Sequence, residues 1–258
     1  MKKIITAFFM AWGYFLALPC PYKKWDNSQR HLMLAFLPAV GMVAGALWCM
    51  WAWFLRLFGI PEPIESLATM TFIFFISGFF HLDGFMDTCD ALLSRRDMLE
   101  RQRILKDSTV GAFSVISVIL LISWWLIAFV FVIGRPDYWM LFIIPVISRT
   151  MSSIHVLTRK PIGHSQYSDS FSDAQRKTAV ILTVLLAIIG VIISAIILKL
   201  SGGELEILEG TVVLMVCISF GFTWNATKQL GGMSGDISGY GLCLTELFGV
   251  IVVALTLK

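Results

Sequence analysis

Asp83, Asp87 and Asp90 stand at i, i+4 and i+7 within the stretch Ser77–Gly111. On a continuous helix their carboxylates project from one face, with neighbouring Cβ atoms about 5–6 Å apart. A solvated helix face at a membrane surface is the plain alternative. However, the flanking Phe79, Phe80, Leu82, Phe85, Met86, Leu92 and Leu93 suit a buried or lipid-edge setting, where unpaired carboxylates repel strongly. A divalent cation resolves that conflict. Carboxylate oxygens are hard ligands, and magnesium typically takes one or two of them together with phosphate oxygens and water. Asp107 follows a basic amphipathic stretch; if that stretch folds back as a hairpin, Asp107 faces the first three across a shared site. Asp83, Asp87, Asp90 and Asp107 are therefore the expected ligands of Mg2+ and the expected catalytic carboxylates.

The same stretch supplies cations: Arg95, Arg96, Arg101, Arg103 and Lys106. Taken singly, each serves equally well as a determinant of membrane orientation. Beside four aspartates, Arg95, Arg96, Arg103 and Lys106 read as clamps for phosphate, because guanidinium pairs bidentately with phosphate oxygens. Metal carboxylates with cationic clamps point to phosphoryl transfer on a pyrophosphate or nucleotide. The run Gly231-Gly232-Met233-Ser234-Gly235-Asp236 has free backbone N–H groups that could approach a phosphate, although a glycine-rich turn between spans is more often only a turn. Asp236 joins the expected substrate-binding set, with Glu246 further along. Arg149, between Ser148 and Thr150, lies inside an apolar run, where a guanidinium is costly unless it binds substrate or has a structural partner. His81, two residues before Asp83, is the one histidine expected at the site; His31, His155 and His164 read as packing or surface residues.

The elements that must position these groups are membrane helices. With 57% hydrophobic and 14% charged residues and a mean hydropathy of +0.81, the chain has too little polar surface for a water-soluble protein of 258 residues. The apolar runs show no period-two alternation, which excludes a membrane β-barrel and leaves an all-α polytopic transmembrane helical bundle in a single domain, 1–258. Seven spans are expected, at about 32–58, 64–80, 111–133, 138–157, 178–199, 210–224 and 241–257. Residues 4–18 form a further run, read as a short interfacial or re-entrant helix with an eighth span as the competitor. Fifteen of the 20 Lys and Arg fall at the N-terminus or in alternate connections, which the positive-inside rule assigns to the cytoplasm together with the aspartate site. Lys258 is then outside. Cys20, Cys49, Cys89, Cys217 and Cys243 are scattered through apolar runs and suggest neither disulfides nor zinc.

The run His81-Leu82-Asp83-Gly84-Phe85-Met86-Asp87-Thr88-Cys89-Asp90, then Lys106-Asp107-Ser108 with Gly111, and later Gly231 to Asp236 with Glu246, resemble the cobalamin synthase family, the adenosylcobinamide-GDP ribazoletransferases. The likeness in span order covers nearly the whole chain. Asp83, Asp87, Asp90 and Asp107 match the family's acidic motif and Asp236 its second motif. Ala91 stands where a Gly is usual, Ser234 stands for a Thr, and the loop from Lys160 to Phe171 lacks an expected Gly-Leu-Gly. The resemblance implies a magnesium-dependent transferase of the inner membrane, late in vitamin B12 synthesis. It would join adenosylcobinamide-GDP to α-ribazole or its 5′-phosphate and release GMP. Its expected surroundings are the lipid bilayer and, as an oligomer or in a complex, other nucleotide-loop assembly enzymes; no nucleic acid is expected. One carboxylate, Asp90 or Asp107, would accept the proton of the attacking hydroxyl. A CDP-alcohol phosphotransferase would need a different aspartate spacing. A cation transporter would carry its acids near the bilayer midplane rather than at one edge.

Overall fold

The computed structural model describes residues 2–133, 136–163 and 171–256. Arg135, His164, Lys258 and most of the loop from Lys160 to Phe171 lie outside the described residues. The chain forms α1 (Lys2–Phe15), α2 (Arg30–Ala35), α3 (Leu37–Leu57), α4 (Glu62–Ile76), α5 (Phe80–Leu93) and α6 (Met98–Ile104). It continues through α7 (Ala112–Val132), α8 (Ile143–Thr158), α9 (Asp173–Leu200), α10 (Leu205–Leu230) and α11 (Gly235–Thr256). No strand is present among the described residues, so the all-α bundle stands.

Among the described residues, six helices are long and apolar enough to cross a membrane: α3, α7, α8 with its 3-10 lead-in, α9, α10 and α11. The span expected at 64–80 is different. Its helix, α4, has 15 residues, about 22 Å at 1.5 Å per residue, against a hydrocarbon core of roughly 30 Å. The chain then bends by 89° into α5, and only if this bent pair counts as one span does the total reach seven. The break is local chemistry. Gly78 and Phe79 adopt φ of 60° and 59°, left-handed conformations that end a right-handed helix, and for the bulky Phe79 this backbone is strained. The carbonyl of Ile76, orphaned by the break, accepts from Ala17 N–H at 2.7 Å, so the N-terminal segment closes the end of α4.

The 14-residue α1 is not among the helices long enough to span; it buries Ala7, Met10, Ala11 and Phe15 and exposes Ile4 and Ile5. That is the pattern of an interfacial helix. Helices also run beyond the expected limits. Here α10 continues to Leu230 through Asn225, Lys228 and Gln229, and α11 starts at Gly235, so Asp236 belongs to a helix rather than to a loop.

Lipid and protein divide the spans. Only 22–28% of the most apolar windows of α7, α9 and α10 are buried, whereas 89% of that of α8 and 67% of that of α11 are, so α8 and α11 form the centre. The centre is also the polar part. Lipid offers no hydrogen bonds, and polar side chains in spans must pair with one another. Along α8, Ser153 pairs with Thr183, His155 with Ser219, and Ser152 with Ser238. Close approach completes the packing: a side chain at Gly41 or Gly45 of α3 would strike the carbonyl oxygens of Pro145 and Phe142. These two small residues, four apart, let α3 and α8 touch along their backbones.

Candidate active site at one end of the bundle

The aspartates of α5 lie on one face, as their spacing predicts, with Asp83 exposed and Asp87 and Asp90 half-buried. None of the three carboxylates has a hydrogen-bond or salt-bridge partner among the described residues. The charges that repel Asp87 are those of Asp83, Asp236 and Asp90. Asp236 is brought there by glycine. A Cβ on Gly84 would lie 2.8 Å from the Asp236 Cα, and one on Gly239 would lie 2.8 Å from the carbonyl oxygen of His81. Residues 84 and 239 thus let α5 and α11 cross in backbone contact, and the crossing sets the first turn of α11 against the aspartate stripe.

Asp107 has a different setting. It is exposed, its Oδ1 accepts from the Thr109 N–H at 3.0 Å, and that bond, ahead of the charge of Arg103, holds its carboxyl below the usual range. The hairpin expected to face Asp107 toward the stripe instead docks α6 on the end of α10. Arg101 donates to Gln229 at 2.6 Å and Gln102 to the carbonyl of Leu230 at 2.7 Å. The residue of this connection that meets the stripe is Gly111, whose Cα lies against the Asp90 carboxylate. The fourth carboxylate of the cluster is therefore Asp236.

The expected clamps separate in the same way. Arg95, Arg96 and Arg103 are exposed near the ends of α5 and α6, Arg103 making a loose surface pair with Glu100 at 3.9 Å. Lys106 instead lines a cavity of about 400 Å³ together with His81 and Asp236. Gly231 and Gly232 are spent on the backbone. Gly231, at φ 77°, caps α10. Gly232 allows residues 160–162 to pair with Met233, whose N–H donates to the Lys160 carbonyl at 2.8 Å. The rest of the run, Ser234, Gly235 and Asp236, lines the same cavity.

Arg149 is not among the residues that line the cavity. Its guanidinium is fully buried and paired to Glu246, with further bonds to Ser148 Oγ at 3.3 Å and to Ser77 Oγ at 3.1 Å. The structural-partner alternative describes it: Arg149 joins α8 and α11 to the break between α4 and α5. His81 is buried, stacks on Phe15 at 6.1 Å and meets the edge of Phe80 at 5.5 Å. Its Nε2 has no hydrogen-bond partner among the described residues. Sequence reasoning missed Tyr14, Phe15, Ser152 and Ser238, which complete the cavity wall. A signal existed for Ser152: it stands three residues after Arg149, on the same polar face of an otherwise apolar run.

The donor set suits magnesium: hard carboxylate oxygens, crowded together. Among the described residues no three His, Cys, Asp or Glu side chains stand close enough to enclose a metal ion. One or two carboxylates with substrate oxygens, rather than an all-protein cage, match this spacing.

Fold and site together define a polytopic membrane protein with a carboxylate-crowded centre at one end of its bundle, set beside a half-apolar cavity. Comparison with known proteins takes this further: residues 7–254 match the family model for cobalamin-5-phosphate synthase, and the chain belongs to that family. An adenosylcobinamide-GDP ribazoletransferase of Clostridium perfringens (strain SM101 / Type A) is 34% identical over 256 residues, 99% of this chain and 100% of that protein. One of Clostridium botulinum (strain Alaska E43 / Type E3) is 34% identical, covering 97% of each chain. One of Halalkalibacterium halodurans is 30% identical, covering 96% of this chain and 95% of its own. No solved structure matches. The CDP-alcohol phosphotransferase and transporter readings gain no support from these matches.

Proposed function

We propose that the protein joins adenosylcobinamide-GDP to α-ribazole or its 5′-phosphate, releasing GMP, with Mg2+ required and the active site on the cytoplasmic side of the inner membrane. The observation that carries this reading is the gathering of Asp83, Asp87, Asp90 and Asp236 into one repelling group beside a cavity, in a chain of this family. Fifteen of the 20 Lys and Arg fall at the N-terminus or in alternate connections, among them the one that carries the aspartate stripe, which supports the cytoplasmic orientation.

A ribose hydroxyl attacks the cobinamide-side phosphorus in line. One oxygen–phosphorus bond forms while the bond from that phosphorus to the GMP oxygen breaks, and GMP departs with the electron pair. The hydroxyl proton passes to a carboxylate. Asp90, half-buried and unpaired, suits that role better than the exposed, hydrogen-bonded Asp107. Asp83 and Asp87, together with substrate oxygens, would hold magnesium, which would supply charge neutralisation on the phosphate oxygens. Lys106 at the cavity rim, and Arg95, Arg96 and Arg103 beyond it, hold the pyrophosphate in ground and transition state.

The test is an assay of purified protein with adenosylcobinamide-GDP, α-ribazole and magnesium, in which corrinoid product and GMP should appear in equal amounts. GMP released without corrinoid coupling would replace the transferase reading with a hydrolase.

A further inference from the structure

The cavity beside the carboxylates has two unlike walls. Tyr14 of α1 and Phe80 at the start of α5 contribute an aromatic side, continued by the apolar Leu34. Ser152 of α8 and Ser238 of α11 contribute a hydroxyl side, already in hydrogen-bonding contact with each other. Between them sits His81, 6% exposed, whose Nε2 is an unsatisfied polar atom in a buried place. Such an atom costs free energy unless something pairs with it. The hydroxyl side runs through Ser238 to Asp236, two residues away in α11, and so to the carboxylate cluster.

Resting on the reaction proposed above, we infer that this cavity is the seat of the acceptor nucleoside, α-ribazole, and that the donor's corrinoid and GDP bind outside it. Size argues first. Pockets of roughly 300–1,000 Å³ hold drug-sized ligands, and about 400 Å³ matches a nucleoside but not a corrin macrocycle. Wall chemistry argues second. A dimethylbenzimidazole has an apolar edge and a π-face, suited to Tyr14, Phe80 and Leu34, whereas the edge of guanine carries donors and acceptors that this side would leave unpaired. Position argues third: with the base against the aromatic side, the ribose meets Ser152 and Ser238, and its attacking hydroxyl points to the carboxylates. Lys106 at the rim, holding the donor's pyrophosphate just outside the cavity, then brings the reacting phosphorus to that hydroxyl.

The test uses the full-length protein in detergent. α-Ribazole alone, without donor or magnesium, should raise the thermal midpoint of the wild type, and GDP should not compete with it. Val156 also lines the cavity, and Val156→Phe fills it. This variant should raise KM for α-ribazole by roughly tenfold or more and leave KM for adenosylcobinamide-GDP unchanged. Ser152→Ala, which removes only an oxygen and guards against misfolding of the larger variant, should shift the same constant by a smaller factor. An active enzyme in which Val156→Phe and Ser152→Ala leave KM for α-ribazole unchanged, or raise that for adenosylcobinamide-GDP instead, overturns the cavity assignment and spares the reaction. Stabilisation by α-ribazole, lost in Val156→Phe, in a protein without transferase activity would overturn the reaction and spare the cavity as a nucleoside site.

Discussion

At the scale of single residues, the acidic cluster sets function against stability. Asp87 is half-buried among like charges, so Asp87→Asn removes repulsion that opposes folding when no cation is bound. In EDTA this variant should melt at a higher temperature than the wild type. The stabilisation by magnesium should shrink, and kcat should fall about 10²–10³-fold or more, persisting at saturating substrate. A melting curve and a steady-state assay on the same preparation check both signs. The cations should respond differently: Lys106→Gln, at the cavity rim, should raise KM with little change in kcat, as loss of uniform binding does. Arg103→Gln, at an exposed surface pair, should move it less. The spacing of residues 83, 87 and 90 made the stripe legible in advance. The approach of Asp236 to the stripe was not, because it depends on two glycines more than 150 residues apart in the chain, 84 and 239, whose meeting no local pattern encodes.

Among the elements, the crossing of α5 and α11 has the tightest tolerance. A methyl group at Gly84 would lie 2.8–2.9 Å from backbone atoms of Asp236, so one helix must move. Gly84→Ala should therefore cost about 1–3 kcal/mol of stability from overpacking and, by displacing Asp236 from the stripe, about 10²-fold in kcat/KM. Denaturation and kinetics of the same variant separate the two effects, and conservation of activity with lowered stability would remove Asp236 from the working cluster. The helices themselves were readable from hydropathy, since long apolar runs can do little else in lipid. The break after α4 was not, because Ser77, Gly78 and Phe79 continue the apolar run almost unchanged, and only the left-handed backbone at positions 78 and 79 marks the turn. Arg149 was legible as an anomaly but not as a solution. Its partner Glu246 is 97 residues away, and the pair became recognisable as structural only once α8 and α11 lay side by side.

For the molecule as a whole, the division of labour follows from lipid acting as solvent. The three least buried spans carry the most uniformly apolar windows or lie at the periphery, while the polar stripe of α8 faces inward, so the bundle is most polar where it is most enclosed. Orientation is a matter of charge outside the bundle. Single cysteines placed at Ser94 and Ser201 of a cysteine-free protein should label from opposite sides of the membrane in intact cells, Ser94 from the cytoplasm. Labelling of Ser94 from the periplasm would reverse the orientation and separate the site from cytoplasmic nucleotides.

The shortness of α4 has a consequence for the membrane itself. A helix of 15 residues cannot match a bilayer that its longer neighbours span comfortably. The lipid beside α4 must thin, or headgroups and water must dip toward the break at residues 77–79. Hydrophobic mismatch then becomes a testable property of the enzyme: its carboxylates are expected at the floor of a dimple, within reach of water yet beneath the general plane of the headgroups. Thicker bilayers would deepen that dimple at a cost of fractions of a kcal/mol per ångström. Turnover in vesicles should therefore decline as acyl chains lengthen, even with substrates supplied entirely from water.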